Sequence, residues 1–393
     1  MSTSRKTSLV FLLVALLLVV LNSVAFAQDD VIKVAIMGPF TGPAASIGTE
    51  QLNWAQLAVD DFNEATGWSV ELVQGDTQLD PSVAVTVAES LIADPEIYGV
   101  VGPAGSGEVE ATGQMFADAG LVQIANSATR PSLTEHGWTN FFRVVPNDNF
   151  QGPTVGNFLA HDLGVTSLYI IDDQTSYAVT LADLAVEAFE GAGGTVTGRQ
   201  SVTQDDTDFS SLITVIGASG AEAVFFPGQI ASQGALFAQQ MVEQGVSFIL
   251  FGADGFQSQS DFIDGAAGAA EGAYVSSFAP DVHDLESSAD VVARFNEQYD
   301  TGFSTFGPPS YAATQAILEA IWRASDMGDL TRETVAAEVA NTDIELSVLG
   351  TPLAFDEHGE VLNGASYIFQ VQDGGFVYVP SATDMEATPE ASS

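Results

Sequence analysis

The sequence contains no cysteine. This absence excludes disulfide bonds and a cysteine nucleophile. It also excludes an acylated N-terminal cysteine, so there is no lipobox cysteine through which a lipid could tether the chain. A chain without cysteine forms no disulfide bonds in any compartment. Its stability therefore does not depend on an oxidising environment, and this absence alone does not place the protein inside or outside the cell.

Basic residues are scarce. Lys and Arg total 9 against 52 Asp and Glu, a net charge of −43. Arg5 and Lys6 belong to the N-terminal segment, so the rest of the chain carries 9 − 2 = 7 basic residues and a net charge of 7 − 52 = −45. Such a field repels nucleic acid and anionic lipid, so no nucleic-acid partner is expected. Salt adaptation and an ordinary acidic exported protein both remain open, because net charge governs solubility rather than function.

Long apolar runs are missing except for one, Leu9 to Leu21. It follows the basic pair Arg5-Lys6 and precedes Ala25-Phe26-Ala27, a pattern typical of a secretory signal peptide that is cleaved after Ala27. The run is shorter than the roughly 20 residues that span a bilayer, although an uncleaved anchor is the alternative. We therefore expect a periplasmic or secreted mature protein.

No catalytic motif is complete. The sequence has no Gly-x-Ser-x-Gly elbow, no His-Glu-x-x-His and no Walker lysine motif. The four histidines are scattered without ligand spacing, and the acidic stretch 205–208 is explained by a helix cap as well as by calcium. We expect neither an enzyme nor a cofactor nor a metal. The alternative is an acidic hydrolase with paired carboxylates, of which Asp172, Asp173 and Asp254 are the candidates.

Strand and helix patterns alternate along the chain, which is typical of an α/β sheet. One series runs from Val34 to Val145 and a second from Pro153 to Phe278, followed by a helical block and a hairpin-like end. The pattern predicts a helix over Pro81–Ala93 and a strand over Val122–Ala125 in the first series, and a helix over Pro153–Leu163 and a strand over Ala223–Phe226 in the second. After removal of 27 residues, 393 − 27 = 366 remain, more than one hydrophobic core usually supports. The sequence therefore predicts two lobes built on one plan.

Four apolar strands are each followed by small or polar residues. They occupy 100–106, 124–129, 168–172 leading to Tyr177, and 248–254. Ligands of open α/β sheets bind beyond the carboxyl ends of the strands, so these residues can converge on one small polar molecule. Ser106 and Thr129 offer donors for a carboxylate, and Asp254 offers an acceptor for an ammonium group.

The order of several short motifs resembles the branched-chain amino-acid-binding proteins that supply ABC importers. The motifs occupy 32–43, 131–134, 151–153 and 208–212, and the resemblance extends from Val31 to Pro380. It implies a periplasmic binding protein type I fold, in which two Rossmann-like lobes are joined by a three-strand hinge that closes about a ligand. The crossings are expected near Val145, Ala279 and Phe355.

The resemblance also divides the chain into parts. It implies a signal peptide over 1–27, an N-terminal lobe of 28–146 plus 279–356, and a C-terminal lobe of 147–278 plus 357–380. Residues 381–393 are mostly Pro, Ser, Thr, Ala and acid, and we predict a disordered acidic tail there.

The resemblance assigns roles to site residues. The carboxylate of an amino acid would be held by Ser106, Ser127, Ala128 and Thr129, where Ser127 replaces an alanine that uses only its backbone. Asp254 stands where the family usually has a glutamate that binds the ammonium group, and Tyr177 matches a tyrosine that contacts the ligand on closure. The alternatives are helix caps for the hydroxyl residues, a turn for Asp254 and a surface tyrosine for Tyr177.

Selectivity would come from Ile47, Gly105, Gln229 and Phe306, which align with the family's pocket positions. Ile47 and Gln229 each replace a tyrosine, and a buried Gln229 needs a polar partner. A polar or larger amino acid, or an amide, is therefore as admissible as leucine, isoleucine or valine.

We expect a monomeric solute-binding protein that delivers an amino acid to a membrane permease. Binding of short amides or urea, or service as the ligand-binding subunit of a sensor, is the alternative.

Overall fold

The structure is a computed structural model that describes residues 31–299 and 305–381. The expected signal peptide lies outside the described residues, and so do residues 382–393 of the predicted tail. Ser381, the first residue of that tail, is described and is buried. No helix of the described ranges is long and apolar enough to cross a membrane.

The first lobe is built on a sheet of five parallel strands in the order β2-β1-β3-β4-β5. The strands are β1 Ile32–Gly38, β2 Val70–Asp76, β3 Ile97–Val101, β4 Val122–Ala125 and β5 Phe141–Arg143. Three helices connect them: α1 Ala45–Thr66, α2 Pro81–Ala93 and α3 Ser106–Asp118.

The second lobe is built on a sheet of seven strands in the order β12-β11-β10-β9-β8-β6-β7. The parallel strands are β6 Ser167–Asp172, β7 Thr195–Ser201, β8 Ala223–Phe226, β9 Ile249–Gly252 and β10 Tyr274–Ser277. The hairpin β11 Tyr367–Gln372 and β12 Gly375–Tyr378 adds two antiparallel strands. Its helices are α4 Asp148–Asn157, α5 Ser176–Gly191, α6 Ser210–Ser219 and α7 Ala231–Glu243.

Each sheet has an apolar layer on both faces, because successive side chains of a strand point to opposite sides. In β1, Val34 and Ile36 enter one core cluster while Ala35 and Met37 enter another. The strand β6 divides its residues between two clusters in the same way. Parallel strands that are covered on both faces need apolar residues at nearly every position, which explains the continuous apolar runs of these strands.

The chain passes three times between the lobes. The first passage lies between Val145, which belongs to the core of the first lobe, and α4. The second lies near Ala279, after which the helices α8 Ala289–Gln298, α9 Gly307–Asp326 and α10 Arg332–Val339 pack on the first lobe. This arrangement confirms the predicted fold class of two α/β lobes with a three-strand hinge.

The third passage is later than the sequence predicts. Phe355 and Val361 still pack against the core of the first lobe, and Glu360 pairs with Arg143 of β5 in a parallel bridge. The chain therefore changes lobes between Val361 and Tyr367 rather than near Phe355. The cause is the buried guanidinium of Arg143, which donates to the carboxylate of Glu360 from Nε over 3.1 Å and holds the segment on the first lobe.

Helix α4 begins earlier than the sequence predicts. The sequence pattern predicts a helix over Pro153–Leu163. The helix begins at Asp148 instead, since the side chain of Asn147 accepts a hydrogen bond from the backbone N–H of Asn149 at 3.0 Å and caps it. This shift brings Asp148 to the start of the helix, immediately after the first passage between the lobes.

Candidate functional site

A cavity with an empty volume of about 330 Å³ lies between the two lobes. The first lobe and α9 supply Ile47, Leu79, Ala104, Ser106, Ser127 and Phe306, and the second lobe supplies Tyr177, Gln229, Asp254 and Gly255. Most of the predicted site residues therefore line one cavity. Gly105 lies between two lining residues, while Ala128 and Thr129 are buried behind the wall and do not line it.

Ser106 is the first residue of α3, and the cap position before it is Gly105. The Ser106 hydroxyl is therefore not the helix cap, and it accepts a hydrogen bond from the backbone N–H of Arg130 at 3.2 Å. The cap is completed by Glu108, whose Oε2 accepts from the Gly105 N–H at 2.7 Å. A helix N-terminus that faces a cavity favours an anionic group there.

Ser127 forms two hydrogen bonds within the first lobe. Its hydroxyl accepts from Nε2 of Gln51 at 2.9 Å and donates to the carbonyl of Ala104 at 3.0 Å. These bonds tie the loop after β4 to α1 and to the loop after β3. Because the hydroxyl is already engaged, Ser127 fits a position at which the family uses only the backbone.

The loop that carries Thr129 is held from behind by Arg143. Nη1 of Arg143 donates to the carbonyl oxygens of Ala128 at 3.1 Å and of Arg130 at 2.8 Å, one on each side of Thr129. The Thr129 hydroxyl is fully buried and has no hydrogen-bond partner among the described residues.

Asp254 follows β9 and is 4% exposed. Its Oδ1 accepts from Nε2 of Gln151 and from the hydroxyl of Tyr177, both at 2.6 Å. Tyr177 is thus a buried partner of this carboxyl and not a surface tyrosine. Burial raises the pKa of Asp254 to about 6, and the two hydrogen bonds oppose the rise. Near neutral pH this carboxyl is mostly an anion held in place by two donors.

Asp148 is a second buried carboxyl in the same region. It is fully buried, and in the described part of the chain no donor makes a hydrogen bond of ordinary geometry to its oxygens, although the Thr129 hydroxyl lies close enough to favour the ionised form. Burial, together with the charge of Asp254, raises the pKa of Asp148 to about 8, while the Thr129 hydroxyl and Arg143 oppose the rise. The site therefore contains two carboxyl groups that disfavour each other's ionisation.

This raised pKa predicts how Asp148→Asn changes stability. The folded protein keeps a proton on Asp148 between its ordinary pKa of 3.8 and about 8, whereas the unfolded chain does not. The free energy of unfolding therefore falls as pH rises through this window. Ligand-free Asp148→Asn should melt a few degrees above wild type at pH 8 and closer to wild type at pH 5, as measured by scanning calorimetry. A constant difference across this range would contradict the prediction.

Gln229 is half-buried, and its polar groups have partners within the second lobe. Its backbone N–H donates to Oδ2 of Asp173 at 2.9 Å, and its Oε1 accepts from Nε2 of Gln204 at 3.1 Å. Its Nε2 faces the first lobe, since a Cβ added to Gly105 would lie 3.6 Å from it. The side chain therefore presents an amide N–H₂ group where an aromatic ring was expected from the family.

Of the three carboxylates considered for a hydrolase, Asp254 lines the cavity, whereas Asp172 and Asp173 are engaged elsewhere. Asp172 accepts from Nε of Arg199 at 2.9 Å. Asp173 accepts from the hydroxyl of Thr175 at 2.6 Å and from the Gln229 N–H. Both stabilise the loop before α5, and neither lines the cavity. Within residues 31–299 and 305–381, no group of three potential ligand side chains is placed to hold a metal ion.

Sequence reasoning missed Leu79, Ala104, Gly255 and Asp148. A usable signal was present for two of them, since Leu79 follows β2 and Asp148 follows β5, just as the predicted residues follow their strands. Leu79 also has a backbone φ of 60°, which is rare for a residue other than glycine and is frequent at functional sites.

The comparisons with known proteins agree with this architecture. Residues 31–375 match the family model described as Periplasmic binding protein. The chain is 30% identical over 339 residues to Leu/Ile/Val-binding protein homolog 1 of Brucella abortus, covering 85% of this chain and 88% of the relative. It is 29% identical over 340 residues to the leucine-, isoleucine-, valine-, threonine- and alanine-binding protein of Pseudomonas aeruginosa, with the same coverage of 85% and 88%.

A solved structure shows the same fold. The leucine-binding protein LivK from Thermotoga maritima superposes with a TM-score of 0.81 at 23% identity, covering 90% of this chain and all of the other. The match confirms the type I arrangement of two lobes. With the family match over nearly all of the described residues, the chain belongs to the periplasmic binding protein family.

Proposed function

We propose that this protein captures a free amino acid between its lobes and delivers it to the membrane permease of an ABC importer. The observation that carries the proposal is the cavity itself, in which Ser106 and Ser127 stand on one lobe and Asp254 and Tyr177 on the other. Relatives named for binding leucine, isoleucine and valine support the ligand class. The family's extracytoplasmic role supports a periplasmic or secreted location.

The two ends of the cavity are complementary to a zwitterion. The N-terminus of α3, the Ser106 hydroxyl and the backbone beside Ser127 suit a carboxylate. Asp254 suits an ammonium group. Burying either charge without a partner is costly, whereas each hydrogen bond to a charged group contributes about 1.5–3 kcal/mol. Thr129 would support the carboxylate end from the loop that Arg143 holds.

The side chain of the ligand would meet a mixed wall. Ile47, Leu79 and Phe306 are apolar, and Gln229 contributes an amide. A small aliphatic amino acid fits this wall, and threonine, which the name of one relative includes, would add a hydroxyl for Gln229 to bind.

A thermal-shift screen tests the proposal. Residues 28–393 would be melted with each of the twenty amino acids, with urea and with short amides, at low and high salt. One or a few amino acids should raise the melting temperature, because a ligand that binds only the folded state stabilises it. A response only to amides would favour the alternative that the amide of Gln229 suggests. No response from a folded sample would contradict amino-acid binding.

Gln229→Met should change selectivity rather than abolish binding. Methionine keeps the approximate volume but removes the amide, so an amino acid with a polar side chain loses one hydrogen bond of about 1 kcal/mol. The ratio of the threonine and leucine dissociation constants, measured by calorimetry, should shift about fivefold toward leucine. Gln204→Met is the matched control, since Gln204 contacts Gln229 without lining the cavity. An unchanged ratio would show that Gln229 does not contact the ligand.

A further inference from the structure

The carboxyl group of Asp148 is one of the poorly satisfied buried polar groups around the site. Both oxygens are buried, and the Thr129 hydroxyl that lies beside them favours the ionised form of Asp148 without reaching ordinary hydrogen-bond geometry. The backbone N–H of Asp148 donates to the carbonyl of Thr129 at 2.8 Å. A buried carboxylate without donors is costly, so this group either holds a proton or faces a cation that comes from outside.

The protein supplies little positive charge to Asp148. On β5, Arg143 is the nearest cation, but its guanidinium donates to Glu360 and to the carbonyl oxygens of Ala128 and Arg130. The other titratable groups around Asp148 are Asp254 after β9, Tyr177 on α5 and, next to Tyr177, Asp173 after β6. All of these are acids. Unlike Arg143, an ammonium group that binds in the cavity would be a cation whose charge is not already shared with Glu360 or with backbone carbonyl oxygens.

We propose that Asp148 and Asp254 together carry one proton in the empty protein and release it when the cationic group of the ligand binds beside Asp254. This inference rests on the proposed function. On binding, the O–H bond of the protonated carboxyl breaks and the proton passes to the solvent. The ammonium group keeps its three hydrogens and compensates the charge of the pair. Since the groups interact, they titrate as a pair.

The coupling has a direction. If binding releases a proton, lowering the pH opposes binding, and the affinity falls by up to about tenfold per pH unit for each proton released. The effect should be concentrated between pH 6 and pH 8, because burial raises the pKa of Asp254 to about 6 and that of Asp148 to about 8. The protein would hold its ligand more tightly at pH 8 than at pH 6.

Calorimetry in two buffers tests the proposal. L-Leucine, or the amino acid that gives the largest shift in the thermal screen, is titrated at about pH 7 in phosphate and in Tris, which differ in their enthalpy of ionisation. The difference in observed heat gives the number of protons released, which should be between about one half and one per ligand in the wild type. Affinity measured from pH 6 to pH 8 should rise at least fivefold.

Asp148→Asn should release much less than half of the wild-type number of protons and bind with an affinity that changes less than twofold from pH 6 to pH 8. Asp205→Asn, at an exposed position of the same lobe, should behave as the wild type. Equal proton release in wild type and Asp148→Asn would overturn the role of Asp148. If Asp148→Asn fails to fold, the wild-type titration still decides, because binding without proton release would overturn the inference.

These outcomes separate the inference from the proposed function. No binding heat with any amino acid across the pH range would reject amino-acid capture itself. Binding with no proton release and no pH dependence would leave capture intact and reject only the coupled proton.

Discussion

Asp254→Ala is expected to reduce amino-acid affinity by at least a hundredfold. The change removes the acceptor for the ammonium group and also leaves the Nε2 of Gln151 and the hydroxyl of Tyr177 without the oxygen that they share. Removing one partner of a buried charge pair typically costs about 3–5 kcal/mol, which corresponds to a factor of more than a hundred in the dissociation constant. Isothermal titration calorimetry with the amino acid selected by the thermal screen would measure the loss.

Two further variants make this test specific. Asp254→Glu keeps the charge and restores the residue type that the resemblance leads us to expect, so measurable binding should remain. Asp205→Ala removes an exposed carboxyl of the same lobe and should bind as the wild type. If Asp254→Ala were to bind within threefold of the wild type, the ammonium group would have to be held elsewhere, and the proposed orientation of the ligand would be wrong.

The architecture was largely predictable because it depends on local periodicity. The predicted strands Val122–Ala125 and Ala223–Phe226 and the helix Pro81–Ala93 have the same ends in the structure. Apolar runs bounded by Gly, Pro or polar residues define such elements without reference to the rest of the chain. The same logic, applied to strand ends, placed Ser106 and Asp254 in one cavity.

What could not be predicted depends on contacts between distant residues. The position of the third passage follows from the pairing of Arg143 with Glu360. These residues are far apart in sequence, and no local sequence pattern predicts that they pair. Gln229 is satisfied by Gln204 from another loop in the same way. Asp148 was missed for a local reason. The sequence pattern predicts a helix that begins at Pro153, whereas the cap at Asn147 begins the helix at Asp148.

A tryptophan in place of Gly107 is expected to prevent closure of the lobes. Gly107 is in the first turn of α3, where a Cβ would lie 3.4 Å from Cγ of Pro81 and 3.7 Å from Oγ of Ser176, at the start of α5 in the other lobe. A methyl group fits at these distances, but an indole does not. Since Asp254 and Tyr177 reach the cavity from the second lobe, holding the lobes apart would remove them from the ligand.

Gly107→Trp should therefore lose at least a hundredfold in affinity while its ligand-free melting temperature stays near that of the wild type, because each lobe has its own core. Gly107→Ala should bind normally. Gly191→Trp adds the same ring at the end of α5, where a Cβ has no atom within 4 Å, and should also bind normally. Small-angle scattering should show contraction on ligand addition for the wild type and both controls, but not for Gly107→Trp. Tight binding by Gly107→Trp would mean that the ligand does not need both lobes.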